Sequence, residues 1–232
     1  PRYIDMENKI PLHVGIIMDG NGRWAEKQGK SRNFGHRAGR DRMIGLAAHA
    51  RDRGIKYFTV YALSTENLAR PQKELDSLFG LIRRYFASNI KKLYKENAAV
   101  RTIGDLSLLP DDIAKLLTDG EKNSPQNAGF TVVFAIAYGS RAEILSAVNK
   151  AVERGEILDE AGFEKLLYTS GLPNPDLIIR PGGETRMSNF LTYQAAYSEL
   201  YFTDVLFPDF SDAEFDKAIE NYAGRNRRFG KI

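Results

Sequence analysis

The chain has 232 residues, of which 43% are hydrophobic and 27% charged, and its formal net charge is +3. That length fills one α/β core, and so small a positive charge permits anionic substrates without arguing for nucleic acid. Zero cysteines exclude disulfides and thiolate metal sites, and no apolar run approaches the roughly 18 residues that read as a membrane span.

The opening PRYIDMENKIP carries no signal-peptide core, so a cytosolic protein is expected. Val14 to Met18 is short, apolar and bounded by turn residues, the pattern of a strand buried on both faces of a parallel sheet. It stops at Asp19, which Gly20-Asn21-Gly22-Arg23 follows. In open α/β sheets ligands sit beyond the carboxyl ends of strands, and glycines there let backbone N–H groups approach an anion. A helix beginning near Arg23 adds its positive end, worth about 0.3–1 kcal/mol toward a negative group. Phosphate is therefore the first reading of the turn, and because Asp19 would repel it, a magnesium ion between them is the natural bridge. The plainer alternative is an acid capping the next helix above a glycine turn. Between Asn21 and Arg42 stand seven Lys or Arg (Arg23, Lys27, Lys30, Arg32, Arg37, Arg40, Arg42) against Glu26 and Asp41, with His36 besides. No GxGxxG follows the strand and no GxxxxGK(S/T) occurs, so dinucleotide and P-loop motifs are absent.

Met43 to Arg53 reads as the helix completing a βαβ unit, with Met43, Leu46, Ala47 and Ala50 on one face and Gly54 closing it. His49 falls outside that face and reads as solvated. Tyr57 to Leu63 is the second buried strand, and it too ends in polar residues, Ser64-Thr65-Glu66-Asn67 and then Leu68-Ala69-Arg70-Pro71. Two strands thus deliver polar clusters to one rim, although a simple helix cap also explains the second. From Glu74 to Asn97 the residues Leu75, Leu78, Phe79, Ile82, Phe86, Ile90 and Leu93 follow helical spacing. Core packing is the simplest account of that stripe, and a channel for an apolar tail is the other.

Val100 to Ile103 and Phe130 to Ala137 read as strands around a helix over Pro110 to Asn123. Asp111 and Asp112 do not make a DDxxD motif, because residue 115 is Lys. Helical segments over Ser140 to Arg154 and Ala161 to Tyr168 precede a strand at Asp176 to Ile179. That strand runs into Arg180-Pro181-Gly182-Gly183-Glu184-Thr185-Arg186-Met187-Ser188-Asn189. Arginines on both sides of a glycine pair suit a second multiply charged anion, each charge-assisted bond contributing about 1.5–3 kcal/mol. Glu199 lies in the aromatic-rich AYSELYFTDVLFPDF, where a buried carboxylate needs a cation or a partner. The basic end from Arg225 to Gly230 reads as a tail.

Five segments in this order, HVGIIMDGNGRWAEKQG, GHRAG, YALSTENLARP, DLIIRPGGETRMSNF and AYSELYFTDVLFPDF, resemble the cis-prenyltransferases, the family of bacterial undecaprenyl diphosphate synthase. The likeness runs from His13 to Gly230. It implies one α/β domain over residues 1–232, with a mostly parallel central β-sheet flanked by helices and an apolar tunnel between sheet and helices. It further implies condensation of an allylic diphosphate, farnesyl diphosphate first, with successive isopentenyl diphosphates into a long Z-polyprenyl diphosphate. An undecaprenyl product for the cell-wall lipid carrier is expected, with a shorter chain or a non-catalytic partner subunit as alternatives.

By the same resemblance Asp19 is the catalytic acid and a magnesium ligand, with Gly20, Asn21, Gly22, Arg23, Trp24, Arg32 and His36 around the allylic diphosphate. Ser64, Thr65, Glu66, Leu68 and Arg70 line the substrate, and Asn67 stands where a proton-accepting role is assigned. Arg180, Arg186, Met187 and Ser188 hold isopentenyl diphosphate, and Glu199 is the second metal ligand. Leu68 replaces the usual Trp, Thr185 a His that some members use as a metal ligand, and Pro181 the common Thr. The expected partners are the two diphosphates and a second copy of the chain, with no nucleic acid. The protein is expected to be cytoplasmic, meeting the membrane through its product.

Overall fold

The computed structural model describes residues 10–225. Along the chain the elements are β1 (His13–Ile17), α1 (Asn21–Glu26), α2 (Arg32–Asp52), β2 (Tyr57–Ser64), α3 (Gln72–Lys95) and β3 (Ala98–Ile103). They continue with α4 (Asp111–Lys122), β4 (Phe130–Tyr138), α5 (Ser140–Arg154), α6 (Glu160–Glu164), β5 (Leu177–Pro181), β6 (Glu199–Thr203) and α7 (Asp212–Ala223). The expected α/β class is what the chain adopts. It forms two compact units, one holding β1, α1, α2, β5, β6 and α7, the other β3, β4, α3 to α6 and nearly all of β2.

In the first unit β1 pairs in parallel with β5, Val14 opposite Leu177 and Ile16 opposite Ile179, and β5 pairs in parallel with β6, Leu177 opposite Glu199 and Arg180 opposite Phe202. All five residues of β1 are buried, as expected of a strand covered on both faces. The basic segment and the helix expected from Met43 form one helix, α2. Its buried face is Gly35, Gly39, Met43, Leu46, Ala47 and Ala50. Gly35 and Gly39 sit under α1. A Cβ on Gly35 would stand 1.9 Å from the Asn21 carbonyl oxygen, and one on Gly39 2.2 Å from the Asn21 side-chain oxygen. The GHRAG segment therefore works as a seat for the turn that follows β1. His49, expected to be solvated, is half-buried instead: its Nε2 lies 2.8 Å from Asp216 of α7, with its ring edge on Phe215.

In the second unit β3 and β4 run parallel through six registered pairs, from Ala98 opposite Phe130 to Ile103 opposite Ala135. From α3 the buried residues are Leu75, Phe79, Leu81, Tyr85 and Phe86, and the last two pack on Phe134 at 5.3 Å between ring centroids. Leu78, Ile82 and Ile90, counted in the expected stripe, are only half-buried. The helix expected to reach Tyr168 stops at Glu164 and gives way to turns. Its neighbour α5 buries Ala147 and Ala151 against Leu166 and Leu167. Glu143, fully buried, accepts from the Tyr138 hydroxyl at 2.6 Å and from the Thr169 N–H at 3.1 Å. Among the described residues no helix is long and apolar enough to cross a membrane.

Candidate functional site

In the first unit the chain leaves β1 and reaches Asp19, whose main-chain oxygen accepts from the Phe207 N–H at 3.0 Å. Gly20 follows at φ 94°, a conformation that side chains disfavour, and a Cβ there would meet Leu206 at 2.7 Å. The turn thus needs glycine for both conformation and space. It aims the Asp19 carboxylate at three donors. Oδ1 accepts from the Gly20 N–H at 2.6 Å and lies 3.3 Å from Arg23, while Oδ2 accepts from Arg180 at 2.8 Å. Arg180 is 4% exposed and sits on β5, and Asp19 retains 29% side-chain exposure. Burial pushes the Asp19 carboxyl up, but the Arg180 bond and charge, the Gly20 N–H and the Arg23 charge outweigh it and hold the group below its ordinary 3.8.

Other residues expected around the allylic diphosphate gather here as well. The Arg32 guanidinium lies over Gly22, where a Cβ would be 2.9 Å from its central carbon, and it also pairs with Glu26 at 3.1 Å. Asn21 donates to the Met18 carbonyl at 3.2 Å. Trp24 stacks on Phe34 with ring planes 6° apart and donates to Asp209 at 2.7 Å. His36 follows Gly35 on α2 and is half-buried. Past β5, Gly182 at φ 101° brings the chain to within 3.2 Å of Asp19 and 3.1 Å of Arg23, measured from the Cβ it lacks.

Glu199 is not part of this gathering. The parallel register puts it opposite Leu177, level with Val14 at the start of β1, whereas Asp19 lies beyond the other end. Five residues of strand separate those levels, about 16 Å at strand rise. The partner that a half-buried Glu199 requires is Arg225, 2.5 Å away. Within one chain Asp19 and Glu199 therefore do not share a metal. Among the described residues no three His, Asp or Glu side chains cluster as a metal cage. A single ionised, part-exposed carboxylate instead suits magnesium, which keeps several waters and takes one or two carboxylates together with substrate phosphates.

The second unit assembles its own polar rim. At the end of β2 the Ser64 hydroxyl accepts from the Asn67 N–H at 3.1 Å, and the Asn67 side-chain oxygen accepts from the Ser64 N–H at 3.3 Å. That oxygen is thus engaged with backbone, and the half-buried Asn67 has its amide N–H groups as the donors it can offer a ligand. Thr65 donates from its hydroxyl to Glu66 at 3.2 Å, and its N–H reaches the Tyr138 carbonyl at 3.0 Å. Leu68 is half-buried, and Arg70 pairs with Glu74 at 2.9 Å. Burial raises the Glu66 carboxyl, but bonds from Asn189, its own backbone, Ser64 and Thr65 hold it below the usual range. Arg186 and Ser188 are exposed, and Met187 is half-buried. Asn189, which ends the polar run after β5 and stands outside the expected site, donates to Glu66 at 2.8 Å. Its place at the end of that run was the only signal for it.

Residues 17–230 match the prenyltransferase family model described as "Putative undecaprenyl diphosphate synthase". The chain is 46% identical over 228 residues to the isoprenyl transferase of Fusobacterium nucleatum, covering 98% of this chain and 99% of that protein. It is likewise 46% identical over 229 residues to the isoprenyl transferase of Aquifex pyrophilus, with 98% and 99% covered. Among solved structures it resembles lavandulyl diphosphate synthase from Lavandula x intermedia in complex with dimethylallyl diphosphate. The TM-score is 0.92 at 37% identity, covering 96% of this chain and 99% of that one. A probable undecaprenyl diphosphate synthase from Campylobacter jejuni matches with TM-score 0.81 at 33% identity, over 97% of this chain and all of the other.

Proposed function

The chain belongs to the prenyltransferase family of undecaprenyl diphosphate synthase, and we propose that it condenses an allylic diphosphate, farnesyl diphosphate first, with successive isopentenyl diphosphates into undecaprenyl diphosphate. The observation that carries this reading is the Asp19 carboxylate, kept ionised at a glycine turn by Gly20, Arg23 and Arg180. Basic groups beside one acid suit a diphosphate that arrives with a cation. Magnesium, held by Asp19 and the diphosphate, would draw charge from the leaving group.

In this reading Gly20, Asn21, Gly22, Arg23, Trp24, Arg32 and His36 hold the allylic diphosphate, and Arg180, Arg186, Met187 and Ser188 hold isopentenyl diphosphate. Fixed cations stabilise the charge that builds on the departing diphosphate as its carbon–oxygen bond breaks. Orienting the two substrates turns formation of the new carbon–carbon bond into an effectively unimolecular step. A proton must then leave isopentenyl C2. Asn67 positions that step by donating its amide N–H to a diphosphate oxygen, since its own oxygen already accepts from Ser64. The proton itself passes to a diphosphate oxygen or water. Ser64, Thr65, Glu66, Leu68 and Arg70 line the substrate around it.

The growing tail runs along the half-buried Leu78, Ile82 and Ile90 of α3 in an apolar tunnel. The whole chain acts as one catalytic domain in the cytoplasm, and its product partitions into the membrane for the cell-wall carrier. A homodimer is part of this reading, supported by apolar side chains left exposed in each unit: Leu145, Val148 and Val152 on α5, and Tyr197 before β6. The test is incubation with farnesyl diphosphate, labelled isopentenyl diphosphate and magnesium, followed by chromatography of the dephosphorylated products. A ladder ending at the undecaprenyl alcohol is expected. No incorporation of label would overturn the reading.

A further inference from the structure

Residues 186–193 form an irregular segment of the second unit that regular hydrogen bonding does not hold. Three of its residues, Ser188, Asn189 and Leu191, adopt left-handed backbone conformations with φ of 47°, 64° and 46°, which side chains other than Asn and Asp enter with difficulty. Such a path persists only where the surroundings over-determine it. Phe190, fully buried, stacks on Tyr61 at 4.6 Å, and the Tyr61 hydroxyl lies 3.4 Å from the Ser188 carbonyl.

Asn189 ties the segment down further, through both its side chain and its main chain. The Asn189 side-chain oxygen accepts from the Arg141 N–H at 2.9 Å, and its amide nitrogen donates to Glu66 at 2.8 Å. Its main-chain oxygen accepts from the Ser140 N–H at 2.8 Å. Gly139 makes this possible, since a Cβ there would lie 2.7 Å from the Asn189 amide nitrogen and 2.6 Å from the Thr65 hydroxyl. The end of β2, the start of α5 and the segment carrying Arg186 and Ser188 therefore meet at Asn189. The Arg141 N–H is a backbone donor and the Glu66 carboxylate an acceptor, so the Asn189 amide sits with its oxygen toward α5 and its nitrogen toward Glu66.

We infer that Asn189 is the positioning residue for the isopentenyl diphosphate subsite, fixing the Arg186–Ser188 segment to Glu66 and to the first turn of α5. The inference rests on the assignment of Arg186 and Ser188 to that diphosphate. Asn189 touches no substrate in this account. It sets where the Ser188 hydroxyl points.

The experiment compares Asn189→Ala, Asn189→Asp and Asn189→Asp combined with Glu66→Gln. Asn189→Asp keeps an acceptor for the Arg141 N–H but sets a carboxylate against Glu66. Adding Glu66→Gln returns a donor to that contact. Displacement of the segment by an ångström raises KM for isopentenyl diphosphate on the order of 10–100-fold in both single variants. The same variants keep kcat within about threefold and leave KM for the allylic diphosphate unchanged. The double variant reverses most of the KM rise caused by Asn189→Asp. An unchanged KM in Asn189→Ala, no recovery in the double variant, or an equal fall of every kinetic parameter together with the melting temperature would overturn the inference. Calorimetric titration with isopentenyl diphosphate reads the same weakening and recovery without turnover. Wild-type enzyme that binds isopentenyl diphosphate but transfers no prenyl group would count against the proposed function alone.

Discussion

Replacing Gly35 by alanine tests whether α2 seats the turn that holds Asp19. By helix propensity alone the change should help, because alanine is favoured over glycine by about 1 kcal/mol inside a helix. At this position the new Cβ would lie 1.9 Å from the Asn21 carbonyl oxygen. The closest ordinary carbon–oxygen contact is about 3.3 Å, so α1 or α2 must give way by roughly 1.4 Å. The listener to that shift is backbone, with no flexible side chain to absorb it, and Asn21 is one residue from Gly20 and Gly22. Misplacement by about an ångström costs around 100-fold in rate, and overpacking costs about 1–3 kcal/mol of stability. Steady-state kinetics should show kcat/KM for the allylic diphosphate down by about that factor, with a lowered denaturation midpoint. Gly45→Ala is the control on the same helix, since its Cβ would meet nothing nearer than the Arg42 guanidinium at 3.8 Å. It should keep full activity and gain up to about 1 kcal/mol. If Gly35→Ala behaves like Gly45→Ala, the seating argument is wrong.

Phe130, bulky and 3% exposed at the start of β4, is proposed to end the tunnel. Because each buried methylene contributes about 0.8 kcal/mol, a tail lengthens until it meets a wall. Phe130→Ala should lengthen the products and cost up to about 3–5 kcal/mol if the site is fully packed. An unchanged distribution from active enzyme would place the length control elsewhere. Tyr138→Phe removes the donor 2.6 Å from the buried Glu143 carboxylate and should cost about 1–3 kcal/mol in urea unfolding. A loss below about 0.5 kcal/mol would contradict the importance given to that bond. Asp19, Glu66 and Asp216 are all held below their ordinary values. A depressed folded value means stability fully present above about pH 5 and lost as pH falls through the depressed values. Asp19→Asn should therefore flatten the acid limb of the stability curve, and an identical limb would count against the Arg180 pairing.

What could be read from the sequence was whatever short-range pattern decides. The buried run before Asp19, the second strand ending at Ser64 and the polar residues beyond each strand all follow from local apolarity and turn chemistry. The full extent of α2 was hidden because Gly35, Gly39 and Gly45 depress helix propensity and basic residues dilute its apolar period. Two of those glycines are there for packing against α1, a tertiary reason that no local pattern displays. β6 escaped notice because its five residues are all half-buried, leaving neither a continuous buried run nor an alternation. The level of Glu199 relative to Asp19 was hidden for a related reason: it depends on strand register, which becomes visible only once β5 and β6 are paired. Asn189 likewise acquires its role from three segments that meet only in the folded unit.

The most direct measurement is single-turnover incorporation of labelled isopentenyl diphosphate onto farnesyl diphosphate, by wild-type enzyme and by Asp19→Ala shown to be folded by circular dichroism. The account predicts incorporation by the wild type with magnesium, none after chelation, restoration when magnesium is returned, and none by Asp19→Ala under any condition. Near-wild-type turnover by Asp19→Ala would contradict it.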